Sequence, residues 1–212
     1  MLCGTLLGIV ASTQQFGDSS MTAVDKAPSD VIIFWFGQEW YEDGMDAKEY
    51  ADRGIKRWFF GGPALDAECQ KFVPLIRSAG DGNLRGEAWD DVPGLIARLV
   101  LLDQLSRNAF RGTPEAFAYD NAAQEVAVRL LDRFNKRPAD LPWPAAVFLT
   151  TSLLHAEDVQ LHDRAAAFLG EHTGQSSNAF GRQKCILAQL LHIYKTRIES
   201  TLIPLGYHGF TC

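Results

Sequence analysis

The chain has 212 residues, of which 47% are hydrophobic and 22% charged, with a formal net charge of −6. This is ordinary globular composition, long enough to bury a sizeable core without disulfide or metal staples. The acidic balance gives no electrostatic drive toward nucleic acid or an anionic membrane, so neither is expected as a partner.

The segment "MLCGTLLGIVA" is apolar but too short to span a bilayer, and it lacks the basic start of a secretory signal. Residues 1–28 are read as a weakly ordered N-terminal extension, with an ordinary-looking start at Met21. Cys3, Cys69, Cys185 and Cys212 are scattered without Cys-x-x-Cys spacing, which suits reduced thiols and a cytoplasmic setting better than a disulfide framework.

"SDVIIFWFG" (29–37) suits a buried strand or a buried helix. No second convincing strand follows, and a lone strand would leave its backbone groups unpaired, so a short helix capped by Ser29 or Asp30 is expected. Residues 46–60 read as a helix ending at Gly61-Gly62. Pro63 then opens a helix to about Ala79, with Leu65, Cys69, Phe72 and Ile76 on one face. "GDGNLRG" is a loop. From Pro93 to Asn108 runs a helix that is apolar on nearly all sides, which places it at the centre of its domain.

In "RGTPEAF", Gly112 suits a C-terminal cap, Thr113 an N-cap and Pro114 the first position of a helix running to Phe134. A helix or helix pair is expected between Pro144 and Gly170, and a last helix from Ala179 to Thr201. Trp35, Trp58 and Phe59 are assigned to the core. The expected fold is all-α, with about seven or eight helices in antiparallel pairs, loosely of tetratricopeptide-like design. Residues 29–201 form one helical domain, and 202–212 a tail broken by Pro204, Gly206 and Gly209.

Two stretches carry candidate chemistry. In "LLDQLSRNAFRGT", Asp103 emerges beside Leu99 and Val100 on the apolar helix, with Arg107 at i+4 in position to pair with it. Arg111 would continue that stripe if the helix extended so far, and Gln104 and Asn108 make a parallel row. Arginine forks suit carboxylate or phosphate. The alternative is structural, the arginines tying Asp103 and loose carbonyls at the helix end.

In "HAEDVQLHD", His155, Asp158 and His162 fall on one face of a continuous helix. The spacing is not His-Glu-x-x-His and no cysteine joins it, so no metal is expected. The favoured arrangement has His155, Glu157 and Asp158 as partners of the arginine ribbon. No hydrolase elbow, phosphate loop or dinucleotide fingerprint is present, and no cofactor is expected.

"VIIFWFG", "RWFFGGPALDAECQKF", "LVLLDQLSRNAFRGTPEAFAYD" and "LLHAEDVQ" together resemble the bacterial family known as domain of unknown function 924, over residues 30 to 195 in the same order. The resemblance implies an all-helical, tetratricopeptide-like fold and carries no established activity. It places the family's polar positions on Trp35, Gly37, Asp103, Gln104, Arg107, Asn108, Arg111, Thr113, Asp120, His155, Glu157 and Asp158. Ser106 stands where members usually have proline, and His162 has no counterpart. Members close with a segment like Phe-Gly-Arg-Phe-Pro-His-Arg-Asn, where this chain has "TLIPLGYHGFTC", so a divergent tail is expected.

Two functions compete. One is a pocket for a small anionic ligand, formed by Asp103, Gln104, Arg107, Asn108, Arg111, His155, Glu157 and Asp158, with His155 or Glu157 as acid–base candidate. The other is an interaction module that binds a peptide on stacked helices, the polar cluster serving only to brace them.

Overall fold

Proline and glycine positions divide the chain into helices before packing is considered. The computed structural model describes residues 26–38, 40 and 47–175, and every regular element among them is helical. Helix α1, Pro28–Phe36, begins at Pro28 with Ala27 as its cap position. The Asp30 carboxylate accepts the Ala27 N–H at 2.7 Å. The cap therefore precedes Ser29, because proline at the first helical position needs no N–H partner. The helix stops at Gly37, whose φ of 89° is a left-handed value that favours glycine.

Helix α2 spans Ala47–Phe60. The helix expected from Pro63 to Ala79 is instead two, α3 (Gly62–Gln70) and α4 (Val73–Gly80). Pro74 explains the break, since it has no N–H to continue the ladder and its ring would crowd the Gln70 carbonyl. Leu65, Cys69, Phe72 and Ile76 are buried on either side of that break. Burial pushes the Cys69 thiol up to about 12, so it behaves as a small apolar side chain.

A one-turn helix α5 (Glu87–Asp90) leads into α6 (Val92–Leu99), where Asp91 caps the Gly94 N–H at 2.7 Å. The rod continues through a π-helical turn, Val100–Leu105, into α7 (Ser106–Ala109). As its sequence predicts, this rod is buried on all sides, from Leu95 through Leu105. It packs against α1, α3, α4, α8 and α9.

Residues 114–134 do not form one helix. Pro114–Phe117 is a short 3-10 turn, and α8 covers Asp120–Phe134. The chain turns at Tyr119, whose ring lies so close to Gly80 that a Cβ there would meet it at 2.4 Å. A second 3-10 turn, Pro138–Asp140, precedes α9 (Trp143–Leu154), which is buried along its length, and α10 (Val159–Gln175) packs on α9. Trp35, Trp58, Trp143 and Phe148 gather between α1, α2 and α9, while Phe59 is exposed and lies outside the core. The helix expected at 179–201 and the tail from 202 lie outside the described residues, as does residues 1–25 of the expected extension.

Candidate functional site

The site begins with a backbone irregularity. Across the π turn the Ser106 N–H reaches back to Leu101 O, five residues away. The Ser106 hydroxyl donates to Leu102 O at 2.6 Å, the carbonyl its own amide would bond in an α-helix. The expected Asp103–Arg107 ion pair is present but long, with Nε 4.0 Å from Asp103 Oδ1, and Arg107 makes a closer pair with Asp120 at 2.9 Å.

Asp103 is almost fully buried, with its side chain 1% exposed. Its carboxylate faces His155, whose Nδ1 lies 2.7 Å from Oδ1. Oδ2 accepts from the Gln104 side-chain amide. A buried carboxylate needs such partners. As acceptor from Nδ1–H, Asp103 fixes the ring tautomer and leaves Nε2 as the basic nitrogen of the neutral imidazole.

Arg107 donates to Asp120 Oδ2 at 2.9 Å, and its guanidinium stacks over the Phe117 ring at 4.8 Å. The Arg107 and Asp120 side chains are each 22% exposed and His155 is 17% exposed. Three half-buried polar heads therefore surround a buried carboxylate. Burial raises the Asp120 carboxyl above its ordinary value, against the opposing pull of Arg107. Two buried atoms at this spot, Arg107 Nε and Asp120 Oδ1, have no hydrogen-bond partner among the described residues.

The remaining expected site residues go elsewhere. Asn108 donates through Nδ2 to Gln104 O at 2.8 Å and accepts from Arg111 at 2.6 Å. Arg111 does not continue the stripe, because α7 ends at Ala109. Its fork closes on Asp66 of α3 at 2.7 and 3.0 Å. Asp158 caps the start of α10 by accepting the Gln160 N–H at 2.8 Å, and Glu157 is exposed.

His155 ends α9, its N–H donating to Thr151 O. His162 sits on α10 and donates through Nε2 to Ala156 O at 2.7 Å. The shared helical face expected for His155, Asp158 and His162 therefore does not form, since the helix breaks between the histidines. Thr113 occupies a cap position, but its hydroxyl donates to Phe110 O at 2.8 Å.

Asp120, which the resemblance indicated, and Asp66 complete the arginine pairs. Nothing local in the sequence marks either: Asp120 reads as an ordinary acidic first-turn residue, and Asp66 pairs across 45 positions. A separate cavity of about 300 Å³ lies between α1 and α2, lined by Phe34, Trp35, Tyr50, Arg57 and Trp58 among others, and no residue of the polar cluster lines it. Among the described residues no group of three or more His, Cys, Asp or Glu side chains is placed to hold a metal, and no helix is long and apolar enough to cross a membrane.

No curated protein and no solved structure matches the chain. One family model does, over residues 31–197, a span that contains the π turn and every member of the polar cluster. The chain belongs to the family described as bacterial protein of unknown function (DUF924).

Proposed function

We propose that Asp103, His155, Arg107 and Asp120 form a binding site for a small molecule carrying an acidic group, with His155 as its proton-transferring residue. The observation that carries this is the pair of buried, unpartnered atoms, Arg107 Nε and Asp120 Oδ1, on side chains whose other atoms keep 22% exposure. A buried donor and acceptor left unmade are costly, and a ligand offering both an acceptor and a donor satisfies them together. Gln104 and Asn108 support the site from behind, while Arg111, Glu157 and Asp158 fall outside its first contacts.

Charge decides the form of binding. Asp103 and Asp120 oppose Arg107 and, when protonated, His155. An entering carboxylate adds one negative charge, so binding is accompanied by proton uptake, and Asp120 is already raised by burial. Affinity for such a ligand should therefore rise as pH falls. The same shift has a consequence for stability without ligand. The folded chain holds the Asp120 proton more tightly than the unfolded one, so this residue's contribution falls as pH rises from the ordinary aspartate value, ~3.9, to its higher folded value. Asp120→Asn should flatten that part of the stability profile, as followed by denaturant midpoints across acidic pH.

The test of function is a thermal-shift screen of small mono- and dicarboxylates on the wild type and on Arg107→Gln. The expected result is a stabilising compound whose effect is lost in the variant. A set in which no compound separates the two proteins would remove the proposal. One observation favours the second reading, a tetratricopeptide-like interaction module in which the cluster braces the fold: Arg111 is closed on Asp66 and so ties the end of the rod to α3 rather than facing a ligand.

A further inference from the structure

A second group of arginines gathers where α5, α6 and α8 meet. Arg98 Nη1 and Arg129 Nη2 both donate to Asp90 Oδ1, at 3.1 and 3.2 Å, so two guanidinium groups are held side by side on one oxygen. The other oxygen of Asp90 accepts the Gly86 N–H at 3.1 Å. Arg85, anchored by its Nε on Gly82 O at 2.9 Å, adds a third positive charge that acts on Arg98.

Arg98 is the unusual member. Its side chain is 6% exposed, and its buried Nε has no hydrogen-bond partner among the described residues. Burial, then Arg85 and Arg129, lower its proton affinity against the pull of Asp90. A chain of net charge −6 thus keeps two arginines on a single carboxylate, with a third, Arg85, acting on Arg98. A buried cation needs compensation, and one shared carboxylate supplies only part of it.

We propose that Arg85, Arg98 and Arg129 form a binding site for a phosphate group. Arg98 and Arg129 share the one Asp90 carboxylate, and Arg85 adds positive charge that acts on Arg98, an excess that suits a phosphate group. A tetrahedral oxyanion also offers enough acceptors to meet several forks approaching from different elements. The site is separate from the cluster at Asp103, since Arg129 lies nine residues along α8 from Asp120, roughly 13 Å by helical rise.

The test is the thermal midpoint of the full chain against inorganic phosphate, with ionic strength held constant by sodium chloride. Phosphate also stabilises proteins generally by exclusion from their surface, an effect that does not saturate and is common to all variants. Specific binding should appear as a saturating rise in the wild type. Arg129→Gln should weaken the apparent affinity about tenfold, the loss expected for one charge-assisted hydrogen bond. Arg85→Gln, at an exposed position, should weaken it in the same direction. Arg137→Gln, at an exposed arginine outside both clusters, should leave it unchanged. A rise that is linear in phosphate, or equal in the wild type and both cluster variants, would overturn the proposal.

Discussion

Asp103→Ala should cost about 3 kcal/mol of folding stability, the scale of breaking a buried polar pair from one side. The side chain is 1% exposed and holds His155 at 2.7 Å. Its removal strands His155 Nδ1–H and the Gln104 amide, the two donors that its carboxylate satisfies. Arg111→Ala should be milder, at about 1 kcal/mol or less, because the Arg111 side chain is 59% exposed and exposed ion pairs contribute little. Denaturant midpoints rank the two directly. Asp103→Asn should fall between them, since it keeps shape and an acceptor but loses charge. Equal midpoints for Asp103→Ala and Arg111→Ala would show that the carboxylate is not buried and paired as described.

Phe148→Ala should be larger still, at about 4 kcal/mol. Its ring is fully buried on α9 and meets Trp58 at 5.1 Å, Trp35 at 5.5 Å and Phe36 at 5.7 Å. Truncation would leave a cavity bounded by large rigid rings that cannot collapse into it. The same variant should disturb His155, two turns further along α9, and through it the polar site. Chemical denaturation gives the stability change, and a loss under 1.5 kcal/mol, the range of volume-conserving swaps, would mean that the aromatic cluster repacks.

The central rod was legible because an all-round apolar helix has only one place to go, and its length was read to within a residue or two. Helix breaks were legible only where proline or glycine announced them plainly. Pro74 was present in the sequence, but the apolar stripe of Leu65, Cys69, Phe72 and Ile76 continues across it, and that continuity hid the break. The polar residues Asp103, Arg107 and His155 were identifiable as a group, and the structure does bring them together.

Arg107's closer partner was not legible. The expected pair with Asp103 along the helix is present at 4.0 Å, but Arg107 also reaches Asp120 across the tight turn at 2.9 Å, and a contact 13 positions away leaves no mark in helical spacing. Asp66 and the Arg98 cluster were missed for a simpler reason: their partners are distant in sequence, and charged residues on helices usually mean only a solvated face.

The hydrogen bond between Asp103 and His155 organises the polar site, and the tautomer of His155 tests it most directly. Long-range proton–nitrogen NMR correlation at a pH where the ring is neutral reports which nitrogen carries the proton. The account predicts a proton on Nδ1, shifted far downfield by the buried carboxylate, and its return toward ordinary exchange in Asp103→Asn. A neutral ring protonated on Nε2, unchanged by Asp103→Asn, would contradict it.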